Sequence, residues 1–452
     1  MKRTIYKKLL LWKQSQDKSP LIVKGARQVG KTFIIKRFGE NEYSNCHVFN
    51  FEKDKQLAVI FEENLDPNRI VKELSLYSGK VIDTQHDFVF FDEIQECPNA
   101  LTSLKYFCED LPQLHLCCAG SLIGISLASE SFPVGKVDFL TMYPMTFLEF
   151  LDARGDAMSL EIMNDLQFSK KQSHMAHKRL WDQLKIYYFT GGMPKVIDVY
   201  RQAYENNISK AILKTRSTQQ ALVESYFKDF AKHSGKINAM HIASVLEDVP
   251  MQLSKNMEGS VKRFRFKGVI PGKKSHTDLQ GPIDWLEKAG LLIKVKICNR
   301  AEIPLESFCK NNIFKLYMFD IGLLGSMLDL PENRLLLQDF GIARGYFAEN
   351  FVAQELVAGG LSKLHGWQSR NSEIEFILQM DDGIFPLEVK SGKRTQAKSL
   401  QQYVMRYSPE IAIKLSGNPL NINNQSRMRH YPLYMAGGLL SSNLLQKKNE
   451  MI

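Results

Sequence analysis

The chain is poor in features that mark several large protein classes. Its seven cysteines (Cys46, Cys97, Cys108, Cys117, Cys118, Cys298, Cys309) are odd in number, scattered and without a CxxC spacing. That excludes a disulfide framework and a zinc ribbon, and reduced thiols are the expectation. Long apolar runs are also missing. The longest uncharged stretch, residues 111–129, is broken by Pro112, Gln113, His115, Gly120, Ser121, Gly124 and Ser126. It reads as a buried strand entering a loop rather than a membrane span. The opening MKRTIYKKLLLWK has an apolar run too short for a secretory leader, and no small-residue cleavage site follows. These absences predict a cytoplasmic protein with no membrane partner.

What is present is an ordinary globular composition: 452 residues, 44% hydrophobic, 24% charged. At roughly 100–200 residues per domain this suffices for two to four domains. Lys and Arg outnumber Asp and Glu by 59 to 49, a net charge of +10 that suits a polyanionic partner without requiring one.

Residues 21–32 read LIVKGARQVGKT, an apolar strand, a loop and then FIIKRF at helical spacing. This is GxxxxGK[ST] in its strand–loop–helix setting. Gly25 and Gly30 permit a tight path that turns the N–H groups of Ala26, Arg27, Gln28 and Val29 toward a phosphate. The following helix start favours the same anion. Lys31 would neutralise the β- and γ-phosphates of ATP, and the Thr32 hydroxyl would ligate Mg²⁺. About sixty residues on, FVFFDE places two acids at the end of an apolar strand, where open α/β sheets bind ligands. Asp92 would hold Mg²⁺ and Glu93 would polarise the attacking water. A third strand, residues 114–119, ends at Gly120-Ser121, making Ser121 a candidate sensor of the γ-phosphate as readily as a turn serine. His115, one residue into that strand, reads as a satisfied core histidine.

GARQVGKT, FVFFDEIQ, CCAGS, YPMTFLEFL and YYFTGGMPKVI, in this order, resemble a family of prokaryotic AAA-type ATPases carrying a C-terminal domain of unknown function. The resemblance runs over nearly the whole chain. It implies ATP binding, Mg²⁺ and hydrolysis, with Lys31, Thr32, Asp92 and Glu93 in the roles above. Family members usually carry Gly-Arg before the YP motif, where this chain has Gly135-Lys136. An Arg acting as a finger across a homo-oligomer interface would here be replaced by a charge without the planar fork, which predicts slow hydrolysis.

Residues 151–235 favour helix and predict a lid, with a turn and a new helix start at Gly191-Gly192-Met193-Pro194. Residues 236–305 carry two helices and then LLIKVKI, the coarse pattern of a winged-helix-like segment. Between the helices lies VKRFRFKGVIPGKK, whose Lys262, Arg263, Arg265, Lys267, Lys273 and Lys274 are interleaved with Phe264 and Phe266. It fits DNA or RNA phosphate contact and equally a solvated basic face.

In residues 306–452, NNIFKLYMFDIGLL reads as strand into helix, ARGYFAENFVAQEL as a helix bearing Glu349, and HGWQSR, EIEFILQ and IFPLEVK as strands. Turning at Asp381-Asp382-Gly383, the last two would pair and bring Glu375 near Glu388 and Lys390. This resembles the PD-(D/E)xK nuclease core, with Glu375 where Asp is usual. It implies metal-dependent phosphodiester cleavage, or a nuclease-like fold whose acids form ion pairs with Lys390 and Lys393.

The expectation is therefore an α/β protein: a P-loop NTPase core over residues 1–150, a helical lid over 151–235, a winged-helix-like segment over 236–305 and a PD-(D/E)xK-like domain over 306–452. Its function would be ATP hydrolysis driving conformational change in a DNA-associated C-terminal domain. An ATP-regulated Mg²⁺-dependent nuclease and a nucleotide-switched binding protein with negligible hydrolysis are the alternatives.

Overall fold

Four apolar residues in a row, Phe88 to Phe91, are explained by a strand covered on both faces. In the computed structural model they lie in β3 (Phe88–Asp92), flanked by β2 (Cys46–Asn50) and β4 (His115–Gly120). β1 (Leu21–Lys24) and β5 (Asp138–Thr141) complete a five-stranded sheet in the order β2-β3-β4-β1-β5, parallel throughout. The structure describes residues 1–121, 135–166, 169, 171–204, 207–255, 263–331, 344–369, 372–380, 383–392, 397–422 and 426–440. Contacts divide the chain into two units, Met1–Tyr143 with Lys288–Gly290, and Pro144–Glu287 with Leu291–Ile452.

In the first unit, Phe88 meets Phe38 edge-on at 5.6 Å, on the helix that follows β1. Val89 and Phe91 join Phe49, Phe51, Phe61, Leu104 and Phe107 in a separate core cluster. Each such buried side chain contributes roughly 1.5–3 kcal/mol. β1 lies between β4 and β5 while its successor β2 lies at the far edge, so the strand order reverses around the carboxyl end of β1. Open parallel sheets bind ligands at such a switch point. His115 opens β4 and packs edge-on against Trp12 and Tyr43. Burial, aided by nearby Lys18, lowers its pKa to about 4, leaving a neutral ring held in an aromatic box.

The second unit begins with helices: α1 (Phe147–Ala153), α2 (Ala157–Leu166), α3 (His174–Thr190), α4 (Pro194–Tyr204), α5 (Ile208–Ser234), α6 (Lys236–Lys255) and α7 (His276–Lys288). Seven strands follow in the order β12-β11-β10-β9-β8-β6-β7. They are β6 (Leu292–Cys298), β7 (Cys309–Met318), β8 (Leu364–Ser369), β9 (Ser372–Met380), β10 (Gly383–Val389), β11 (Ala412–Ser416) and β12 (Met428–Pro432). The helices α8 (Ile321–Met327) and α9 (Arg344–Ala358) come between β7 and β8.

Two expectations change here. LLIKVKI is the strand expected of a winged-helix-like segment, yet it pairs antiparallel with β7 and parallel with β8. Both edges of β6 are paired, and with five of its seven residues buried its faces are covered as well, as in an inner strand of a larger sheet. The boundary expected at residue 305 therefore falls between two paired strands. The cysteines expected as reduced thiols include one bonded pair, Cys298 with Cys309, brought to a Cα separation of 4.3 Å by the β6–β7 register. The other five are free. Residues 122–129 of the long uncharged stretch, and the Asp381-Asp382 turn, lie outside the described residues, as does Lys393. Among the described residues no helix is long and apolar enough to cross a membrane.

The GGMP and FDIGLL segments meet directly. Asp320 caps α8 and accepts from Gly192 N at 2.6 Å, while Met145 N donates to Gly192 O at 2.7 Å. A side chain at Gly191 would overlap Asp320, one at Gly192 the Met145 carbonyl, and one at Gly322 the Thr190 carbonyl. Pro194 then starts α4, as its tolerance of a first helical turn leads one to expect. Nearby, Phe147 N donates to Glu355 Oε1 at 2.9 Å. Burial pushes Asp320 up to about 6 and Glu355 up to about 8.

Both carboxyls thus hold protons in the folded state that the unfolded chain has released. Their contribution to stability is complete below the ordinary carboxyl range and is lost as pH rises through about 8 for Glu355. Glu355→Gln, which keeps the acceptor for Phe147 N, is expected to flatten this fall. It should stabilise the protein at pH 8 and above by on the order of a few kcal/mol, read from urea midpoints across pH 5–9.

Candidate functional site

The loop between β1 and the helix Lys31–Glu42 bends where its residues allow it. Gly25 and Gly30 take φ values of +150° and +98°, and Gln28 also lies in the left-handed region at φ +62°. Gly25 has a steric reason besides: a Cβ there would overlap the Met142 carbonyl, on the segment whose N–H bonds Lys24 O at 2.8 Å. Arg3 holds the loop from outside, donating to Val29 O at 2.8 Å and Tyr143 O at 2.6 Å.

Within the loop, Lys31 Nζ donates to Gly25 O and Ala26 O at 2.8 and 2.9 Å. Burial brings its pKa down to about 8, against the opposing pull of Glu93 and Asp92. Thr32 Oγ1 donates to the Asp92 carboxylate, 3.0 Å from Oδ1 and 3.2 Å from Oδ2. Asp92 ends β3 and also accepts from Asn50 Nδ2 at 2.8 Å. Burial and then the neighbouring Glu93 charge raise its pKa, while Thr32, Asn50 and Lys31 work the other way. Glu93 follows with φ +52°, turning the chain out of the strand, and accepts from Gln95 Nε2 at 2.6 Å.

The loop, Lys31, Thr32, Asp92 and Glu93 are thus brought together at the carboxyl ends of β1 and β3. Ser121, just past β4, is buried and accepts from Arg27 Nε at 3.2 Å, so its hydroxyl is engaged with the loop itself. Lys136 lies elsewhere. It precedes β5, at the opposite ends of these parallel strands from the loop, and pairs with Glu109 at 3.1 Å. Asn50, Arg3 and Gln95 were missed by sequence reasoning. Only Asn50 left a trace, a polar residue closing the short strand CHVFN as Asp92 closes FVFFD.

Mg²⁺ and ATP fit these donors. A hydroxyl and a carboxylate oxygen side by side are hard ligands, and Mg²⁺ on a nucleotide completes its shell with phosphate oxygens and water.

The C-terminal acids are also drawn together. Glu349 on α9 accepts from Tyr317 Oη at 2.8 Å. The β9–β10 register, which sets Leu387 opposite Phe376, places Lys390 Nζ 2.9 Å from Glu388 Oε1 and 3.8 Å from Glu375 Oε1. Sequence reasoning overlooked two members of this group, Lys315 and Glu373, which are in ion-pair contact.

In the basic segment Arg263, Arg265, Lys267 and Lys274 are exposed, whereas Phe264 is buried and stacks on Phe314. Phe266 packs edge-on against Phe264 and Phe314. The interleaved aromatics anchor the segment and leave the charges outside. Lys262 lies outside the described residues.

If an ammonium is needed on the phosphates, binding nucleotide above about pH 8 must return a proton to Lys31. ATP affinity is then expected to fall by up to about tenfold per pH unit above that point. Calorimetry in buffers of different ionisation heat would read the uptake of close to one proton.

Comparisons with known proteins agree with this geometry at the N-terminus. Residues 17–151 match the family model described as AAA domain. Residues 182–334 and 344–433 match two domains of unknown function, DUF8612 and DUF4143. No curated protein matches the chain. Among solved structures, the chain is similar to the Walker-type ATPase PABY2304 of Pyrococcus abyssi, at 14% identity and a TM-score of 0.46, over 72% of this chain and 95% of that one. It is also similar to the Aeropyrum pernix ORC1 protein in complex with DNA, at 11% identity and TM-score 0.27, over 72% and 91%. For Thermotoga maritima RuvB the values are 13% and 0.30, over 66% and 89%. Residues 17–151 are thus similar to AAA domains, and residues 182–334 and 344–433 to families to which no function is attached.

Proposed function

We propose that this chain binds ATP on the loop of residues 25–32 and hydrolyses it with Mg²⁺, using the cycle to move a nucleic-acid-associated second unit. The observation that carries the reading is the Thr32 hydroxyl set 3.0 Å from the Asp92 carboxylate, beside a buried Lys31. Thr32 and Asp92 would hold Mg²⁺, which supplies charge stabilisation to the transferred phosphoryl group when bound.

The chain's own groups do the rest. Backbone N–H groups of the loop and of the helix start face the phosphates. Lys31 exchanges the Gly25 and Ala26 carbonyls for phosphate oxygens. Glu93 aligns the attacking water and takes its proton as the bond from the γ-phosphorus to the departing ADP oxygen breaks. Arg27 and Ser121, already bonded to each other, form the side of the site nearest β4.

Lys31→Ala is expected to weaken ATP binding by at least about a hundredfold, as a charge-assisted contact of that kind implies. Glu93→Gln should keep ATP and stop turnover. Fluorescent-nucleotide titration and steady-state phosphate release separate the two, and tight ATP binding by the Lys31→Ala protein would refute the assignment.

The exposed Arg263, Arg265, Lys267 and Lys274 support nucleic-acid phosphate contact in the second unit. Replacing all four by Glu is expected to reduce affinity for DNA of any sequence and to lower the slope of log affinity against log salt. Fluorescence anisotropy between 50 and 200 mM salt, roughly the range over which phosphate contacts are lost, reads both. An unchanged slope would mark the segment as a solvated face.

A further inference from the structure

The nuclease-like resemblance of the C-terminal strands implies a divalent cation held by Glu349, Glu375 and Glu388. The residues present do not fit one. Among the described residues no three His, Cys, Asp or Glu side chains converge to hold a metal ion. The carboxylates instead face ammonium groups. Lys315, projecting from β7, contacts Glu373 and lies 3.7 Å from Glu349 Oε2. Lys390, just past β10, spans Glu388 and Glu375.

Further carboxylate oxygens are committed to fixed donors. Tyr317 Oη occupies Glu349 Oε2, and Val389 N donates to Glu375 Oε2 at 3.1 Å. Burial works against a charge on Lys315, whose side chain is only 6% exposed, but the Glu349, Glu373 and Glu375 carboxylates more than offset it and hold the ammonium above the ordinary lysine range. A buried lysine without such acids loses its proton, so this one owes its charge to the cluster. The dependence runs both ways, since the acids lose their nearest positive charge if Lys315 is removed.

We infer that Lys315 is the resident cation of this cluster, in place of a divalent metal, and that the C-terminal sheet carries a metal-independent carboxylate–ammonium site. A divalent ion would have to compete with Lys315 for the Glu349 carboxylate and with Lys390 for that of Glu375, whose charge Lys315 also feels. The ammonium is covalently tethered and its dehydration is part of folding, whereas Mg²⁺ must shed water reluctantly at the moment it binds. The adjacent recess, about 120 Å³, is lined by Arg263, Phe264, Lys315, Tyr317, Tyr346 and Glu349.

The test is a Mn²⁺ titration of nucleotide-free protein followed by electron paramagnetic resonance, in an Asp92→Asn background that silences the Thr32–Asp92 pair. With Lys315 in place, Glu375→Gln is expected to leave Mn²⁺ binding unchanged, and Mn²⁺ should not raise the melting temperature. Lys315→Met should create a Mn²⁺ site at least tenfold tighter than any other on the protein, together with a Mn²⁺-dependent rise in melting temperature. Adding Glu375→Gln should abolish both. A Mn²⁺ site that Glu375→Gln removes from the Lys315-containing protein would overturn the proposal, as would a folded Lys315→Met protein indifferent to Mn²⁺. The first comparison stands whether or not the Lys315→Met chain folds.

Discussion

A carboxylate buried at the end of an apolar strand is costly to leave without partners, and the first unit is arranged around supplying them. Asp92 is 4% exposed; Asn50 bonds it from the carboxyl end of the neighbouring strand and Thr32 from the helix after β1, while the charge of Lys31 acts on it from that helix's start. That convergence requires parallel strands in register, with Asn50 opposite Asp92 and Asp92 opposite Ala119. The two-faced core beneath, Phe88 and Phe90 on one side and Val89 and Phe91 on the other, fixes the register. A slip of one residue would carry Asp92 into the hydrocarbon layer and bring an aromatic ring to the sheet's edge. The same alignment lets one acid accept from a hydroxyl and an amide at once, within the field of an ammonium.

How much of this the sequence disclosed follows from the range of each interaction. The loop, Lys31, Thr32, Asp92 and Glu93 were legible because their chemistry is written in short contiguous motifs on strong strand and helix signals. Asn50 and Arg3 were not, since each acts on a residue decades away in the chain and only the fold brings them together. Five strands of the second unit, β6 to β10, were placed to within about two residues, since Ile374, Phe376 and Leu378 alternate and IFPLEVK follows a turn, whereas β11 and β12 were not anticipated. Their grouping was misjudged. LLIKVKI has the same local appearance whether it ends a small helical unit or lies inside a larger sheet, and only its hydrogen-bonding partners on both edges distinguish the two. Lys315 was passed over for a related reason: a lone lysine in FKLYM looks like an ordinary surface residue until Glu349 and Glu373 are seen around it.

The two regions matched to domains of unknown function are not structurally separable. β6 and β7 come from the stretch matched over residues 182–334, and β8 to β12 from that matched over 344–433, yet all seven belong to one sheet. The charged cluster crosses the same line, with Lys315 on one side of it and Glu349, Glu373, Glu375 and Glu388 on the other. Charge balance therefore reinforces what the backbone pairing begins.

For anyone dissecting the protein, the position of β6 between β7 and β8 decides where it can be cut. A fragment starting at residue 306 would keep β7 but deprive it of its neighbour, and would bare the parallel edge of β8 through Leu364 to Trp367. Unpaired strand edges of that kind recruit other chains. Such a truncation should be expected to come out of expression as aggregate, and its silence in any assay would say nothing about the intact molecule.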